Sequence, residues 1–496
     1  MTWETQVHSS RGTEGIRDGV PEHMLDRCKL ALQDDFLRKA VRFTADKLRS
    51  KKDAVVDHLG HWEEWRERGS AIREETISHL DYYLQQFAEN VEKSGGRVYF
   101  AEDAGEAAQT LLDILSAKQA KSVVKAKSMV SEEIQMNEVL EDAGIDVVET
   151  DLGEFIVQLA KEKPSHIIIP AIHKNRNQIR DLFTAAGGKN LTTDTKVLTA
   201  FARQYLREKY LHAEVGVTGC NFGIAKSGTL ALFTNEGNAD MVMNLPKTHI
   251  VLMGMERVVP TFADFEVMAN LLPRSATGQK LTTYVSMITG PRAHGEMDGA
   301  KELHVIILDN GRCRQLGDEN YKDILKCIRC GACLNVCPVY RQVGGHAYAS
   351  VYPGPIGAVL SPLLNGGEKY TDLPFASSLC GACAEACPVK IQHHDMLVHL
   401  RQQAVGNHYP VAGERLMMKG FARIFSSSQR YRLVMDTARV CQKPLVRDGI
   451  ITAKLGPLAG WTKGRDFPAL AKESFRRRWV KLQRELAASG KGGQRK

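Results

Sequence analysis

The sequence predicts an α/β fold with a mainly parallel sheet, between helical regions at the two ends of the chain. From Gly95 onwards short apolar runs alternate with amphipathic stretches, the strand–helix–strand pattern of right-handed crossovers. Before Gly95 apolar residues recur every three or four positions, which is the period of a helix. The chain has 496 residues, and a chain of this length favours about three domains.

The composition is that of globular domains, with 43% hydrophobic and 25% charged residues. It excludes a disordered, a collagen-like and a disulfide-scaffold protein. No run approaches the ~18 apolar residues that a membrane helix needs. Residues 1–5 show no basic start followed by an apolar stretch, so we expect a cytoplasmic protein.

We place a helical N-terminal region at residues 1–69 and the α/β domain at residues 70–310. Residues 1–20 are rich in Gly, Ser and charge and predict a loose segment, and a helical pattern follows from Glu22 to about Glu89. In the α/β domain helices are predicted at Ala104–Gln119 and Ser131–Gly144, and the predicted strands are Arg97–Phe100, Lys121–Val124, Ile145–Val148, His166–Ile169, Glu214–Val217, Gly228–Thr234, Thr248–Gly254 and His304–Leu308.

The α/β domain carries no nucleotide fingerprint. Gly219–Ser227 approximates a phosphate loop, but Ala225 stands where a glycine should precede the lysine, and no G-x-G-x-x-G occurs. We therefore predict neither ATP nor NAD. The turn Thr234–Asn238 and the group His173–Arg176 fit an anion or carboxylate site at a sheet switch point. Tight turns explain the same Gly and Asn residues and are the favoured explanation.

Seven of the 11 cysteines fall within residues 327–387. Cytosolic thiols stay reduced, so such a cluster indicates a metal or catalytic site. Cys327–Pro338 reads C-x2-C-x2-C-x3-C-P, the spacing with which bacterial ferredoxins bind [4Fe–4S] clusters, and its fourth cysteine ligates the other cluster. Gly331 lets the backbone approach the sulfides. Zinc is the alternative metal, but zinc sites usually combine two distant cysteine pairs.

A second run, Cys380–Pro388, matches the end of the first and predicts a second [4Fe–4S] cluster. The last cysteine of each run is expected to ligate the cluster that the other run holds. The first cluster then takes Cys327, Cys330, Cys333 and Cys387, and the second takes Cys337, Cys380 and Cys383. The second set lacks a fourth cysteine, and Ser377 occupies the position equivalent to Cys327. Three alternatives stay open for the fourth iron of the second cluster. It takes an oxygen ligand such as Ser377, it takes Cys313 or Cys441 from elsewhere in the chain, or it is absent and the cluster has three irons. An open iron would also offer a position for substrate.

The 42 residues between Cys337 and Cys380 favour a helical ferredoxin-like domain, which we place at residues 311–400. Clusters bound by crossed motifs are neighbours, so the arrangement predicts an electron relay. The other cysteines, Cys28, Cys220, Cys313 and Cys441, are scattered. For Cys220 a buried structural thiol is favoured over a nucleophile, because no neighbouring base can be named.

A basic C-terminal domain is expected at residues 401–496. It contains 21 Lys and Arg against 6 Asp and Glu, a net charge of +15, so the rest of the chain carries −7. Such a domain, which ends in the tail Ser489–Lys496, is suited to an acidic protein, an anionic membrane surface or nucleic acid. A solvated surface with a frayed end explains it equally well.

Three segments, together with the cysteine runs that follow the α/β domain, closely resemble the lactate utilization protein B family: Thr218–Asn238, Leu245–Ile250 and Val351–Gly357. The resemblance spans nearly the whole chain. It implies an α/β domain of the lactate-utilization type, related in fold to sugar-phosphate isomerase and CoA-transferase-like domains, and a basic C-terminal domain. It also implies the seven cysteine ligands named above. The family acts in growth on L-lactate as an iron–sulfur subunit, beside a CCG-repeat iron–sulfur protein and a second lactate-utilization-domain protein.

The functional prediction is a non-catalytic electron-transfer subunit. A two-electron oxidation of a 2-hydroxy acid needs a hydride acceptor, and the chain has no flavin or nicotinamide fingerprint. We therefore expect L-lactate to be oxidised on a partner, with electrons leaving through this chain to a quinone or another carrier, in the cytoplasm or at the inner face of the cytoplasmic membrane. One alternative is catalysis on this chain, with the α/β domain binding the substrate carboxylate beside an open iron. Another, ranked last because no recognition helix is apparent, is an iron–sulfur sensor that binds nucleic acid.

Overall fold

A computed structural model describes residues 23–407, 412–451, 462 and 465–488. The chain forms two compact units, Met1–Asn407 and His408–Lys496, and each is described by itself. The segment 1–20 and the tail Ser489–Lys496, both singled out in the sequence, lie outside the described residues.

Helices fill the described part of the N-terminal region, as the periodicity predicts. Asp34 caps the longest of them, because its side chain accepts the N–H of Leu37 at 2.9 Å, and Gly60 ends that helix with a φ of 70°. Phe87 and Val91 of the fourth helix pack against the main sheet. The helices are α1 (Met24–Gln33), α2 (Asp35–Leu59), α3 (Trp62–Ser78) and α4 (Leu80–Lys93).

All six strands of the main sheet are parallel, which confirms the predicted α/β architecture. Numbered along the chain, they are β1 (Arg97–Ala101), β2 (Ser122–Lys125), β3 (Asp146–Glu149), β4 (Val215–Thr218), β7 (Thr248–Gly254) and β10 (Glu302–Leu308). Their spatial order is β1-β10-β7-β4-β2-β3. The chain winds from β2 towards β3 but from β4 towards β7 and β10, so the winding direction reverses between β2 and β4. In open α/β sheets ligands bind outside the carboxyl ends of the strands at such a reversal.

Helices cover both faces of this sheet. Successive residues of a strand point to opposite faces, so each strand contributes side chains to the packing on both sides. On one face Leu111 and Leu140 pack against Val123, and on the other Phe155 packs near Val124. The helices of the α/β domain are α5 (Ala104–Ala117), α6 (Met129–Glu133), α7 (Met136–Asp142), α8 (Leu152–Leu159), α9 (Arg176–Ala185), α10 (Thr195–His212), α11 (Asn238–Asn244) and α12 (Phe262–Thr277).

A second, mixed sheet has the order β8-β5-β6-β9. Its strands are β5 (Phe222–Ile224), β6 (Thr229–Thr234), β8 (Val258–Val259) and β9 (Tyr284–Ile288). The predicted strand Gly228–Thr234 is present as β6, but it pairs antiparallel with β5 and β9 and does not join the main sheet. Strand β5 lies within Gly219–Ser227, so the middle of the segment that approximates a phosphate loop serves in strand pairing.

Two predictions for this domain are wrong. His166–Ile169 forms no strand, because the Nδ1 of buried His166 accepts the N–H groups of Ile168 at 2.9 Å and Ile169 at 3.2 Å, donors that a strand ladder needs. The following Pro170 lacks a donor altogether. The predicted helix Ser131–Gly144 is divided into α6 and α7, because Gln135 takes a left-handed φ of 51° between them.

The cysteine-rich region is helical, as a helical ferredoxin-like domain requires. Its α-helices are α13 (Arg312–Leu316), α14 (Ala332–Val336), α15 (Tyr340–Val343), α16 (Gly354–Asn365), α17 (Ala382–Ala386) and α18 (His393–Gly406). Buried Tyr340 and Leu397 share one hydrophobic core with Val41 of α2 and Leu271 of α12. Tyr340 donates its hydroxyl to the carbonyl of Ser165 at 2.8 Å. This core therefore holds the cysteine runs against the N-terminal helices and the α/β domain.

The second unit combines helices with a small antiparallel sheet of order β11-β12-β13. Its described elements are α19 (Ala412–Phe425), α20 (Ser428–Cys441), β11 (Val446–Arg447), β12 (Ile450–Ile451), β13 (Phe467–Pro468) and α21 (Phe475–Ala488). Gln442 connects two parts of the unit, since its side chain both donates to the carbonyl of Leu470 at 2.9 Å and accepts its N–H at 2.8 Å. Across the described residues of both units, every helix is too short or too polar to cross a membrane.

Candidate iron–sulfur site

The first cysteine run forms a tight loop followed by one helical turn. Cys327 is extended, and Arg329 and Gly331 take left-handed φ values of 58° and 73°. Helix α14 then carries Cys333, and Cys337 ends it. A left-handed conformation is strained for arginine and unstrained for glycine. The two reversals fold the backbone tightly around the close-spaced thiols.

The second run repeats this loop closely. Leu379 and Gly381 have φ values of 55° and 78°, helix α17 carries Cys383, and Cys387 ends the helix. The N–H of Leu379 donates to the Oγ of Ser377 at 3.1 Å. In the first loop the N–H of Arg329 donates to the Sγ of Cys327 at 3.4 Å. Ser377 therefore occupies the position in its loop that Cys327 occupies in the first.

The structure brings the seven thiols of the two runs together in two neighbouring groups. The first contains Cys387 from the second run together with the first three cysteines of the first run, and the second contains Cys337 together with two cysteines of the second run. Helix α14, which carries Cys333, packs against α17, which carries Cys383, so the groups adjoin. Cys327, Cys330, Cys333 and Cys387, which line one cavity, form the first group, and Cys337, Cys380 and Cys383 form the second.

The residues of the first group fit an iron–sulfur cluster. Cys330 and Cys387 are 7% and 6% exposed, and every cysteine among the described residues is a free thiol. Burial, together with neighbouring thiols, raises the pKa of Cys330 to about 12. A cavity opens between the four thiols of this group, and Ile356 and Val389 form part of its wall. Soft thiolates gathered around one space are the ligands of iron–sulfur clusters, and cluster binding would replace the thiol protons.

Cations from distant parts of the sequence surround the first group. Arg66 donates to the carbonyl of Cys387 at 2.9 Å, and Arg257 donates to the carbonyl of Cys327 at 3.3 Å. Lys52 donates to the carbonyl of Ala386 at 2.7 Å. Such cations offset the negative charge that thiolates bring to a buried site. Sequence reasoning missed all three, because nothing in their local patterns relates them to the cysteines.

The carboxylate of Glu256 organises further arginines beside this group. It accepts hydrogen bonds from Arg312 at 2.6 Å and from Arg329 at 3.2 Å. Burial favours a higher pKa for Glu256, but the charges of Arg312, Arg329 and Arg257 outweigh it and hold the pKa at about 2. The carboxylate is therefore ionised at neutral pH and fixes the arginine of the first cysteine loop.

The remaining cysteines lie apart from the two groups or in the other unit. Cys313 is exposed, with its Sγ 3.8 Å from the Sδ of Met255. Burial raises the pKa of Cys220 to about 12, which keeps it a neutral thiol, and Cys441 belongs to the second unit. Partly buried Cys28 packs against the core of the cysteine-rich region.

The sequence-predicted anion group His173–Arg176 is already engaged. His173 contacts Glu162 at 2.7 Å, and Lys174 contacts the other oxygen of the same carboxylate at 2.6 Å. Asn175 caps α9 through a capping box with Gln178. The local fold thus accounts for these polar residues.

Three family models match successive parts of the chain. The LUD domain matches residues 84–308, the 4Fe-4S dicluster domain residues 323–391, and the C-terminal domain of lactate utilisation protein B residues 400–484. The second of these covers both cysteine runs and supports iron–sulfur clusters in this region.

Known proteins match the chain over most of its length. Lactate utilization protein B of Shouchella clausii is 51% identical over 93% of this chain and 97% of its own. Lactate utilization protein B of Oceanobacillus iheyensis is 52% identical over 92% of this chain and 95% of its own. A solved DUF162 family protein from Deinococcus radiodurans is 15% identical and covers 46% of this chain and 98% of its own, with a TM-score of 0.28. Its identity with these relatives over most of its length shows that the chain belongs to the lactate utilization protein B family.

Proposed function

We propose that this chain binds two [4Fe–4S] clusters and relays electrons in the oxidation of L-lactate to pyruvate. The observation that carries the proposal is the crossing of the cysteine runs into two adjoining groups of thiols. Each group combines cysteines from both runs, which is the arrangement of two-cluster ferredoxins. The match to a 4Fe-4S dicluster domain supports it.

The ligands follow from the two groups. Cys327, Cys330, Cys333 and Cys387 hold the first cluster, and Cys337, Cys380 and Cys383 hold three irons of the second. Ser377 supplies an oxygen ligand to the fourth iron. The repeated loop supports this role, because Ser377 accepts the N–H of the second following residue just as Cys327 does. Cys313 is a poorer candidate, since its thiol contacts Met255 and lies outside both groups.

Two neighbouring iron–sulfur clusters would pass one electron at a time from one cluster to the other. The protein around them positions the thiols and offsets their charge through Arg66, Lys52 and Arg257. Burial of Cys330, Cys333 and Cys387 also limits the access of water to these ligands. A hydride acceptor is still required for a 2-hydroxy acid, so the two-electron step belongs to a partner.

The partners we propose are a CCG-repeat iron–sulfur protein and a second lactate-utilization-domain protein. The name of the curated relatives, Lactate utilization protein B, supports a role in lactate utilization. The net charge of +15 in residues 401–496 favours docking on an acidic surface.

An anaerobic reduction experiment tests the relay. L-lactate is added to the cluster-loaded chain alone and then with the two partners, and bleaching of the cluster absorbance is followed. We expect bleaching only with the partners present. Bleaching of the isolated chain would instead place the oxidation on this chain, and no bleaching in the full mixture would reject the relay.

A further inference from the structure

Five cations lie beside the first thiol group. Each belongs to the first cysteine loop or donates to the backbone at or near one of its cysteines. Buried Arg73 of α3 joins those already described, since its guanidinium donates to the carbonyl of Leu325 at 3.0 Å, two residues before Cys327. The five are Lys52, Arg66, Arg73, Arg257 and Arg329.

Two of the five have backbone carbonyls, and no carboxylate, as their hydrogen-bond partners among the described residues. Arg73 donates to the carbonyl of Val258 at 2.7 Å as well as to that of Leu325. Lys52 donates to the carbonyl of Ala386 at 2.7 Å. A carbonyl satisfies a donor but carries no net charge, so the positive charges of Lys52 and Arg73 stay uncompensated by these partners.

Two carboxylates serve the other three cations. The nitrogen–oxygen pairs are Arg329–Glu256 at 3.2 Å, Arg257–Glu256 at 3.8 Å and Arg66–Glu63 at 2.6 Å. Glu256 also binds Arg312, but Arg312 has a second carboxylate in Glu133. Five cations against two carboxylates leave an excess of three positive charges beside the first group.

The second thiol group has a different setting. Arg401 donates to the carbonyl of Ser377 at 2.8 Å, and among the described residues no other lysine or arginine side chain donates to residues 377–383 or to Cys337. The N–H of Tyr340, a neutral donor, lies 3.5 Å from the Sγ of Cys337. Cys380 is exposed, so water and salt screen the charges around it.

We propose that the cations beside the first group give the first cluster the higher reduction potential, so that a chain with one added electron holds it there. This inference rests on the proposed binding of two clusters. The added electron brings one negative charge, which nearby positive charge stabilises. Net charge, hydrogen bonds to sulfur and exposure are the properties by which a protein sets the potential of such a cluster.

Burial acts in the opposite direction at the first group. Cys330, Cys333 and Cys387 are buried, and burial disfavours additional negative charge. The same burial strengthens the attraction of the cations, because buried charges are screened less than charges in water. With three positive charges in excess, we expect this attraction to outweigh the loss of hydration.

An anaerobic redox titration of the cluster-loaded full chain tests the order of the two potentials. Dithionite is added in steps with redox mediators, and EPR spectra record which cluster takes the first electron. Cys383→Ala, which removes a ligand of the second cluster, identifies the signal of the first. We expect that signal to appear first and without splitting, and the split signals to follow when the second cluster is reduced.

Removal of single charges tests the cause. Lys52→Gln keeps a donor for the carbonyl of Ala386 and should lower the equilibrium constant for reduction of the first cluster about tenfold, or about 59 mV for one electron. Lys52→Arg should preserve the potential, and Arg66→Gln should lower it in the same direction. Arg401→Gln should instead lower the potential of the second cluster. Lys47→Gln, exposed on the same helix as Lys52, is the matched control and should change neither.

Circular dichroism and iron content show whether each variant is folded and loaded. The inference is overturned if the second cluster is reduced first, or if the loaded Lys52→Gln and Arg66→Gln variants keep the potential of the unaltered chain. Fewer than two clusters per chain would contradict the proposed function as well. Because dithionite supplies the electrons, the order of reduction is measured without lactate or a partner, and failure of the lactate experiment would leave it unchanged.

Discussion

Ser377 and Cys327 occupy the same place in two repeated loops and differ in their ligand atom. Oxygen is a harder ligand than thiolate sulfur, and iron–sulfur clusters prefer thiolates. The iron beside Ser377 should therefore be the most weakly held of the eight that two four-iron clusters contain. The loop itself needs no cysteine at this position, because the Oγ of Ser377 accepts the same backbone N–H, at 3.1 Å.

Substitution of Ser377 tests its role as a ligand. Ser377→Ala should lose one iron and give the EPR signal of an oxidised three-iron cluster, because alanine offers no donor atom. Ser377→Cys should retain the full iron content and shift the reduction potential of the second cluster. Neighbouring Ser378 is exposed, so Ser378→Ala is the control and should leave both properties unchanged. An unaltered spectrum in folded Ser377→Ala would exclude Ser377 as the ligand.

Arg312 is buried between two carboxylates. It donates to Glu133 at 2.8 Å and to Glu256 at 2.6 Å, and its own side chain is 1% exposed. Arg312→Met would leave both carboxylates without this partner and should lower the free energy of unfolding by about 3–5 kcal/mol. Arg314→Met, on the exposed side of the same short helix, should change it by less than about 0.5 kcal/mol. Urea unfolding checks both variants, and equal losses would contradict the role assigned to Arg312.

At the level of single residues, the cysteine spacing predicts which thiols share a cluster, whereas nothing in the sequence predicts the side chains around them. Crossed pairing is expected from the spacing, since the last cysteine of each run ligates the cluster held by the other run. Lys52, Arg66 and Arg257 reach the site only through the tertiary fold. Hydrophobic periodicity in the sequence does not indicate which lysine or arginine lies beside thiols that belong to a distant element.

Among the elements, α11 packs unusually closely on β4. A Cβ atom on Gly216 would lie 1.9 Å from the carbonyl oxygen of Val242, a backbone atom of that helix. Any side chain at this position must displace the helix. The close contact between β4 and α11, the helix that begins at Asn238, thus depends on Gly216.

Gly216→Ala should therefore destabilise the α/β domain. An overpacked core costs about 1–3 kcal/mol, which should lower the melting temperature measurably. Gly420→Ala provides the control, because Gly420 lies in α19 with open space around its Cβ position, and alanine favours a helix. We expect that control to be neutral or stabilising. A melting temperature unchanged by Gly216→Ala would show that α11 can move without cost.

Element prediction succeeded for several long patterns but not for Ser131–Gly144, which Gln135 divides. The strand at 302–308 and helix α5 follow from apolar runs or periodicity that span whole elements. Of the second sheet only β6 was predicted: β5 and β8 have only three and two residues, and the five-residue β9 was missed as well. His166–Ile169 has the composition of a strand, but the histidine side chain takes the backbone donors. Strand propensity reflects residue type alone, so it does not show that a side chain competes with a neighbouring strand for the backbone N–H groups.

Over the whole molecule, the parallel sheet, the cysteine runs and the basic C-terminal domain have separable roles. The first unit contains both thiol groups. The second holds most of the basic excess of residues 401–496. We infer that redox chemistry belongs to the first unit and that docking belongs to the second.

The most direct test of this account is EPR spectroscopy of the dithionite-reduced, cluster-loaded chain. We expect two spins per chain with signals split by magnetic interaction, because α14 and α17, which carry Cys333 and Cys383, pack against each other. Cys383→Ala, which removes a ligand of the second cluster, should leave a single unsplit signal. A single spin in the unaltered chain, or two signals without mutual splitting, would contradict the claim that crossed cysteine runs hold two neighbouring clusters.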